Sequence, residues 1–352
     1  MSSRNNRFDY RLATEKDSSQ ILEIMESGSF AGNISVLYTR RPDPIRSLQR
    51  EGDEVVILVM EDKAKNRIGG IGCCTLRKAY VDGEVKQTAY LSGLKVHPDY
   101  QRRMPGIPNA YRFLYEETKD RVDLYYTTIL KENTAAQKLL EKKRKGMPEY
   151  RPVGEYTVYC FRAGRKHRNQ TGRLKRGLSP KVEAFYRETL KEGDLAPASI
   201  NIPGIRDEDF YVLQDSKGQI LAACVLWNQQ PEKQHIITGY QGAYRFLKFV
   251  PLHWLGYPNL PKENTPANYA AVTLLAVRDQ NREWAEVLLG KVAEVATGYD
   301  FMMLGLFENH PLNSALQSMK TITYGSKLYT VHWTGEELSL GDRRIHLEVG
   351  LL

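Results

Sequence analysis

The sequence predicts an α/β (α+β) protein of two tandem domains, and three observations carry that expectation. The chain has 352 residues, and at roughly 100–200 residues per domain this length suggests two. Strand-sized apolar runs alternate with helix-period segments through both halves. The stretch YYTTILKENTAAQKLLEK lines up with FMMLGLFENHPLNSALQSMK at an offset of 176 residues, Glu132-Asn133 matching Glu308-Asn309. A looser match, LKVHPDYQRR with LAVRDQNREW, falls upstream in the same order, as tandem copies of one fold require.

Composition excludes several other classes. Apolar residues make up 41% and charged residues 26%, ordinary for a globular chain of this length, which needs no disulfide or metal staple. The four cysteines, Cys73, Cys74, Cys160 and Cys224, show no CxxC pairing, and a reducing cytoplasm fits them best. Cys73 and Cys74 lie in a strand pattern and read as buried structural thiols. No apolar run approaches the ~20 residues of a membrane span, and no secretory h-region opens the chain. The histidines show no HxxxH or HxH spacing, so no metal is expected. The net charge of +8 suits an anionic ligand more than nucleic acid.

In the first half, FDYRLA alternates as a strand and Ile21, Leu22, Ile24 and Met25 mark a helix. A Gly- and Pro-containing loop spans 28–44, and a helical stretch covers 44–50. Strands follow at 54–62, 68–81 and 86–98, the last two joined by an Asp-Gly hairpin turn. A helix over 107–120, a strand at 123–130, a helix over 133–145 capped by Asn133 and a strand at 155–161 complete the half. Residues 162–176 hold seven Lys/Arg and no acid, and 164–178 read as a solvated basic linker. The domains are then 1–163 and 179–352. In the second half, helices are expected at 180–193, 281–297 and 310–320. Strands are expected at 209–215, 218–227, 268–277, 300–307 and 326–333, and the tail could add one more. The aromatic-rich segment 239–261 reads as a hydrophobic plug at the domain interface or a dimer contact, or else as a wall of an acceptor site.

The most informative stretch is YLSGLKVHPDYQRRMPGIPNAY, a strand that enters a basic, Gly-containing loop and then a helix. Loop and helix-terminal N–H groups converge on one spot, the helix dipole adds positive potential, and Arg102 and Arg103 add two charges. Gly106 admits a close backbone approach, and Pro108 suits a first helical turn. With its flanking elements, this stretch resembles the GCN5-related N-acetyltransferase (GNAT) superfamily over most of residues 7–161. The family signature is a V-x-P strand, then Q/R-x-x-G-x-G/A, then a helix. Ungapped, the loop reads Gln101-x-x-Met104-x-Gly106. With a two-residue insertion it reads Arg103-x-x-Gly106-x-Pro108, the favoured register.

The resemblance implies two mixed, mostly antiparallel twisted sheets flanked by helices and an acetyl-CoA site. Arg102, Arg103, Met104, Gly106, Ile107 and Pro108 would hold the pyrophosphate. Leu94, Lys95 and Val96 would offer backbone to the pantetheine arm as an added strand, and Asn133 and Ala136 would lie beside the acetyl end. The implied activity is transfer of an acyl group, acetyl first among them, from acyl-CoA to a small-molecule or peptide amine by direct attack on the thioester. The family's usual acid, a Tyr seven residues after the Asn, is replaced by Leu140, and by Leu316 in the second copy. The usual strand Glu is absent from Leu91-Ser92-Gly93. Tyr126 and Glu132 remain as catalytic candidates, weighed against plain core packing and a capping carboxylate. The second copy's VRDQNREWAEV has no glycine and carries Asp279, Glu283 and Trp284, so no coenzyme is expected there. The rival readings are a non-catalytic acyl-CoA-binding module and an aminoacyl-tRNA-dependent tandem transferase. The basic stretch 142–176 would suit RNA in the latter, against which the coenzyme loop argues.

Overall fold

In the first half of the chain the elements are β1 (Phe8–Leu12), α1 (Ser18–Glu26), β2 (Ile34–Thr39), α2 (Pro44–Gln49), β3 (Glu54–Asp62), β4 (Arg67–Val81), β5 (Glu84–Val96), α3 (Ile107–Thr118), β6 (Leu124–Leu130), α4 (Thr134–Leu140) and β7 (Glu149–Arg162). In the second they are β8 (Arg173–Arg176), α5 (Pro180–Leu190), β9 (Phe210–Gln214), β10 (Ile220–Trp227), β11 (Gln234–Tyr240), α6 (Tyr244–Leu247), β12 (Tyr269–Val277), α7 (Arg282–Val295), β13 (Phe301–Phe307), α8 (Asn313–Gln317) and β14 (Thr321–His332). The structure, a computed structural model, describes residues 7–101, 106–164, 171–333 and 338–352.

Twelve strands form one sheet in the order β1-β3-β4-β5-β6-β14-β7-β13-β12-β10-β9-β8. The order is a palindrome: each position from one end matches its counterpart from the other. Among the described strands only β5/β6 and β12/β13 pair in parallel, and they occupy matching places. At the centre the last strands are exchanged. β14 lies between β6 and β7, and β7 lies between β14 and β13. The two halves therefore share one continuous sheet rather than holding one each.

Helices cover both faces, so strands of the sheet are apolar on both sides. On β3, Val56 and Leu58 pack under α3 with Ala110, Tyr111 and Leu114. The alternate residues Ile57 and Val59 pack under α1 and α2 with Ile21, Ile24, Ile45 and Leu48. The second half does the same: Leu288 and Val292 of α7 cover Val272 and Leu304, while Phe185 and Tyr186 of α5 cover Val212 and Val225. Between α1 and α5, the tail residues Ile345 and Leu347 lie on a floor built from Tyr90, Tyr126, Tyr156, Tyr269 and Phe301.

Several expectations change. Residues 28–44 are not all loop: ISVLYT forms β2, whose partner is β11 from the other half. Arg173–Arg176, placed in the basic linker, pairs with β9 as an edge strand; residues 165–170 of that stretch lie outside the described residues. β7 begins at Glu149, earlier than expected, because Pro152 falls at a register shift opposite Leu328/Tyr329, where a missing N–H costs no ladder bond. α4 stops at Leu140, since Lys142, Lys143, Arg144 and Lys145 repel one another and Gly146 turns at φ +84. The tail makes a β-bridge at Ile345 and a 3-10 turn at Val349–Leu351, not a strand.

The match at offset 176 has a structural counterpart. Gln137 Nε2 donates to the carbonyls of Leu130 and Lys131 at 2.9 and 3.0 Å. Asn313 Nδ2, 176 residues on, donates to those of Phe307 and Glu308 at 2.8 and 2.9 Å. Each amide ties its helix to the end of the parallel strand. Gln137→Ala and Asn313→Ala should each cost about 1–2 kcal/mol in urea unfolding, and additively, because β14 and β7 separate the two sites.

Candidate functional site

The cleft of interest opens where β5 leaves β6. The parallel pair holds for Thr88↔Leu124, Ala89↔Tyr125 and Tyr90↔Tyr126 only. Thr127 Oγ1 still reaches the Leu91 carbonyl at 2.6 Å, and the strands then part. A bulge drives the parting: the β4 register jumps from Ile71↔Lys95 to Cys73↔Ser92, so Gly93 and Leu94 both oppose Gly72. Gly93 sits at φ +64, a conformation that favours glycine. Leu94, Lys95 and Val96 are thereby turned toward α3, where they line a small groove with Gly70, Ile107 and Ala110. Leu94 is exposed, and the Lys95 ammonium is spent elsewhere, on the carbonyls of Met25 and Gly28 at 2.6 and 2.8 Å. The Lys95 ammonium is therefore not free to meet a ligand in the groove.

Gly106 caps α3 and is buried, while Ile107 is half-buried and Pro108 exposed in the first turn. The need for glycine differs from the one expected. A Cβ at Gly106 would stand 2.0 Å from the Tyr10 hydroxyl, so the residue makes room for β1, and its φ of −154 lies outside the left-handed region that favours glycine. Tyr10 carries no motif and went unremarked in the sequence. Arg102, Arg103 and Met104 lie outside the described residues. Asn133 Oδ1 accepts from the Ala136 N–H at 3.1 Å, so this asparagine caps α4 and the Ala136 amide is already used.

Tyr126 is 4% exposed and its ring lies 5.2 Å from that of Tyr90, on the face away from α3. Burial raises its hydroxyl above the ordinary tyrosine range. Tyr90 hydrogen-bonds Thr128 Oγ1 at 2.7 Å. Glu132 is exposed at the end of β6. Leu140 and Leu316, where an acid would stand, are core residues at 8% and 0% exposure.

One cluster was not anticipated. Arg40, Glu51 and Lys233, from the two halves, are buried together beside the aromatic floor. Glu51 Oε1 accepts from Arg40 Nη2 at 2.5 Å and from Lys233 Nζ at 3.2 Å, and Lys233 also donates to an oxygen of Leu352 at 2.5 Å. The Tyr269 hydroxyl donates to the Lys233 carbonyl at 3.3 Å. Burial alone would raise the Glu51 carboxyl, but Arg40 and then Lys233 outweigh it and hold it below the usual range. Burial pushes Lys233 down to about 8 against the pull of Glu51, and pushes His235 down to about 3. Arg40 just after β2, Glu51 just after α2 and Lys233 just before β11 read as surface because their burial depends on contacts some 180 residues apart.

Other residues settle more simply. Cys73, Cys74 and Cys224 are buried, and burial raises all the thiols, Cys73, Cys74 and Cys160 to about 12. His97 is not loop surface but 9% exposed, accepting from Asp99 N–H. Segment 239–261 is not a plug: Phe246, Phe249, Trp254 and Leu255 are 72%, 80%, 80% and 64% exposed. Among the described residues no group of three His, Cys, Asp or Glu could hold a metal ion, and no helix is long and apolar enough to cross a membrane. A cavity of about 460 Å³ between α5 and the 197–207 loop includes none of the expected site residues.

The second half differs at the loop. Between its 3-10 turn (Arg278–Gln280) and α7 stands one residue, Asn281, whereas six, 101–106, separate the corresponding turn (Pro98–Tyr100) from α3. Asn281 Oδ1 accepts from the Trp284 N–H at 3.1 Å, so that helix start is capped from within.

No family model matches the sequence, and no curated protein matches it. Solved structures match along nearly the whole chain. A GCN5-related N-acetyltransferase from Sphaerobacter thermophilus is 13% identical, covering 96% of this chain and 99% of its own, with a TM-score of 0.57. The N-myristoyltransferase of Saccharomyces cerevisiae with bound myristoyl-CoA is 9% identical, covering 99% and 88%, also at 0.57. A GCN5-related N-acetyltransferase from Anabaena variabilis is 11% identical, covering 92% and 72%, at 0.52. The chain has the GNAT fold, the mixed, mostly antiparallel sheet flanked by helices that the resemblance implied.

The buried lysine yields a pH signature. An unfolded lysine keeps its ordinary value of 10.5, so between about pH 8 and 10 the unfolded chain binds a proton that folded Lys233 has released. Stability from this group therefore rises with pH across that window, by at most about 1.4 kcal/mol per pH unit. The raised thiols act in the opposite sense but are common to both proteins. The stability difference between wild type and Lys233→Met should thus grow in favour of wild type from pH 8 to 10, read by denaturant unfolding at each pH.

Proposed function

We propose that the protein is an acyl-CoA-dependent N-acyltransferase, with acetyl-CoA as cosubstrate, in which the first half holds the coenzyme. The observation that carries this is the parting of β5 from β6: a bulged strand edge and the start of α3 face the same groove. The pantetheine arm would run along Leu94–Val96 as an added strand, and the pyrophosphate would sit at the loop before Gly106, with Arg102 and Arg103 supplying charge. The acyl carbonyl would then lie at the parting, open to an amine from the aromatic floor. Held there, the neutral amine attacks the thioester carbon, and the tetrahedral adduct expels the thiolate; the main contribution is proximity. The acceptor is an amine on a small molecule or a peptide.

In the same reading the two halves are copies of one fold, the second without coenzyme. The palindromic sheet and the shortened 281 loop support this, as do the opposed charges of Asp279 and Glu283. A cytoplasmic location is part of the proposal, supported by free cysteines of which most are buried. Leu140 and Leu316 in the core favour a second reading, an acyl-CoA-binding module without turnover.

Acetyl-CoA should raise the melting temperature of the purified protein, and Arg102→Glu with Arg103→Glu should remove most of that rise while leaving the ligand-free melting temperature unchanged. No rise with any acyl-CoA would overturn the proposal. A rise without free CoA released across a panel of amines, read with a thiol reagent, would select the binding module.

A further inference from the structure

The second half carries a copy of the β5 bulge, and there the donors of the bulge are occupied. At an offset of 181 residues β12 overlays β5: Ser92 matches Thr273, Gly93 matches Leu274 and Lys95 matches Ala276. The registers agree. Ser92 and Lys95 flank the two bulged residues opposite Gly72, and Thr273 and Ala276 flank the two opposite Cys224. The first bulged residue has positive φ in both copies, +64 at Gly93 and +50 at Leu274. Leucine is disfavoured in that region, so something must hold it there.

What holds it is a carboxylate. Glu348 Oε2 accepts from the Leu274 N–H at 2.7 Å and from Thr273 Oγ1 at 2.6 Å. Its other oxygen meets His346 Nε2 at 2.7 Å. Glu348 is 5% exposed and comes from the tail, which lies across the second half at this point. The bulge therefore presents two donors, one backbone and one hydroxyl, that converge on a single oxygen away from the sheet ladder. Such a pair suits an oxygen that gains negative charge.

In the first half the hydroxyl at the corresponding register is that of Ser92. Ser92 is half-buried, and its hydroxyl makes no hydrogen bond among the described residues. We propose that the Ser92 hydroxyl is a catalytic residue: it donates to the acyl carbonyl oxygen of the bound thioester, as Thr273 donates to Glu348. This rests on the acyl-CoA reading above. As the amine nitrogen bonds to the carbonyl carbon, the C=O π pair moves onto the oxygen held by Ser92. When the pair returns, the C–S bond breaks, the thiolate leaves and takes a proton from water, and the ammonium proton passes to water.

The test reads the carbonyl itself and needs no acceptor. Infrared difference spectra of acetyl-CoA labelled with ¹³C at the carbonyl, bound to wild type, should show the thioester band shifted to lower frequency than in water. Ser92→Ala should bind acetyl-CoA within about threefold of wild type by calorimetry and return the band most of the way. Ser92→Thr, which copies the second half, should keep the shift. With an acceptor in hand, Ser92→Ala should lower kcat roughly 10²-fold with KM for acetyl-CoA little changed. A band that stays shifted in a Ser92→Ala protein that binds acetyl-CoA overturns the role of Ser92 and leaves the acyl-CoA reading standing. Failure of wild type to bind acetyl-CoA overturns both.

Discussion

The structure depends on a mismatch inside its sheet. A parallel pair needs a crossover between its strands, and α3 provides it for β5 and β6 as α7 does for β12 and β13. Each parallel contact lasts three residue pairs before a bulge turns the strand away. Strands that part leave unpaired backbone groups, which is costly unless something else bonds them. In the second half Glu348 bonds them. In the first half a ligand that behaves as a short strand would do so, and the helix after the parting is already aimed at the same groove.

The exchange of β7 and β14 follows from the same constraint. β6 lies inside the sheet, so the edge that faces away from β5 also needs a partner along its length. β14 supplies it over six residue pairs, Leu130↔Ser326 to Tyr125↔Val331. β7 then fits between β14 and β13, the longest ladder at the centre of the molecule. The parting of each half is braced by a strand from the other. The tail of the second half adds to this, packing Ile345 and Leu347 against Tyr90 of β5 and Tyr126 of β6.

The legible part of this fold is the part whose signals are local. EVVILVMED, the Asp-Gly hairpin and the Ile107–Thr118 helix announce themselves by run length, turn chemistry and period. β2 and β11 were not legible as a pair, because ISVLYT finds its partner about 200 residues away. The exchange of final strands was equally hidden: β7 has the same sequence whichever half it completes. At the site, Leu94, Lys95, Val96 and Ile107 were found from the motif and do share a groove. Tyr10 and the Arg40–Glu51–Lys233 cluster were not, since neither carries a spacing and the cluster's burial is set by contacts between halves.

In the proposed reading, the two halves differ in how well they suit an anionic coenzyme. Opening a phosphate cradle takes chain length between strand and helix, so that several amides can converge, and it takes positive potential at that point. The first half has six residues there, with Arg102 and Arg103 among them; the second has Asn281 alone, its side chain already capping the helix, with Asp279 and Glu283 alongside. With so short a loop, the parted strands of the second half still need partners. A carboxylate from the same chain then becomes the economical occupant: it is held by two bulge donors and steadied by His346. Glu348 is thus what a bulge of this kind selects when no ligand comes. That is why the second half, which binds nothing in this reading, is the better guide to what the first half is built to hold.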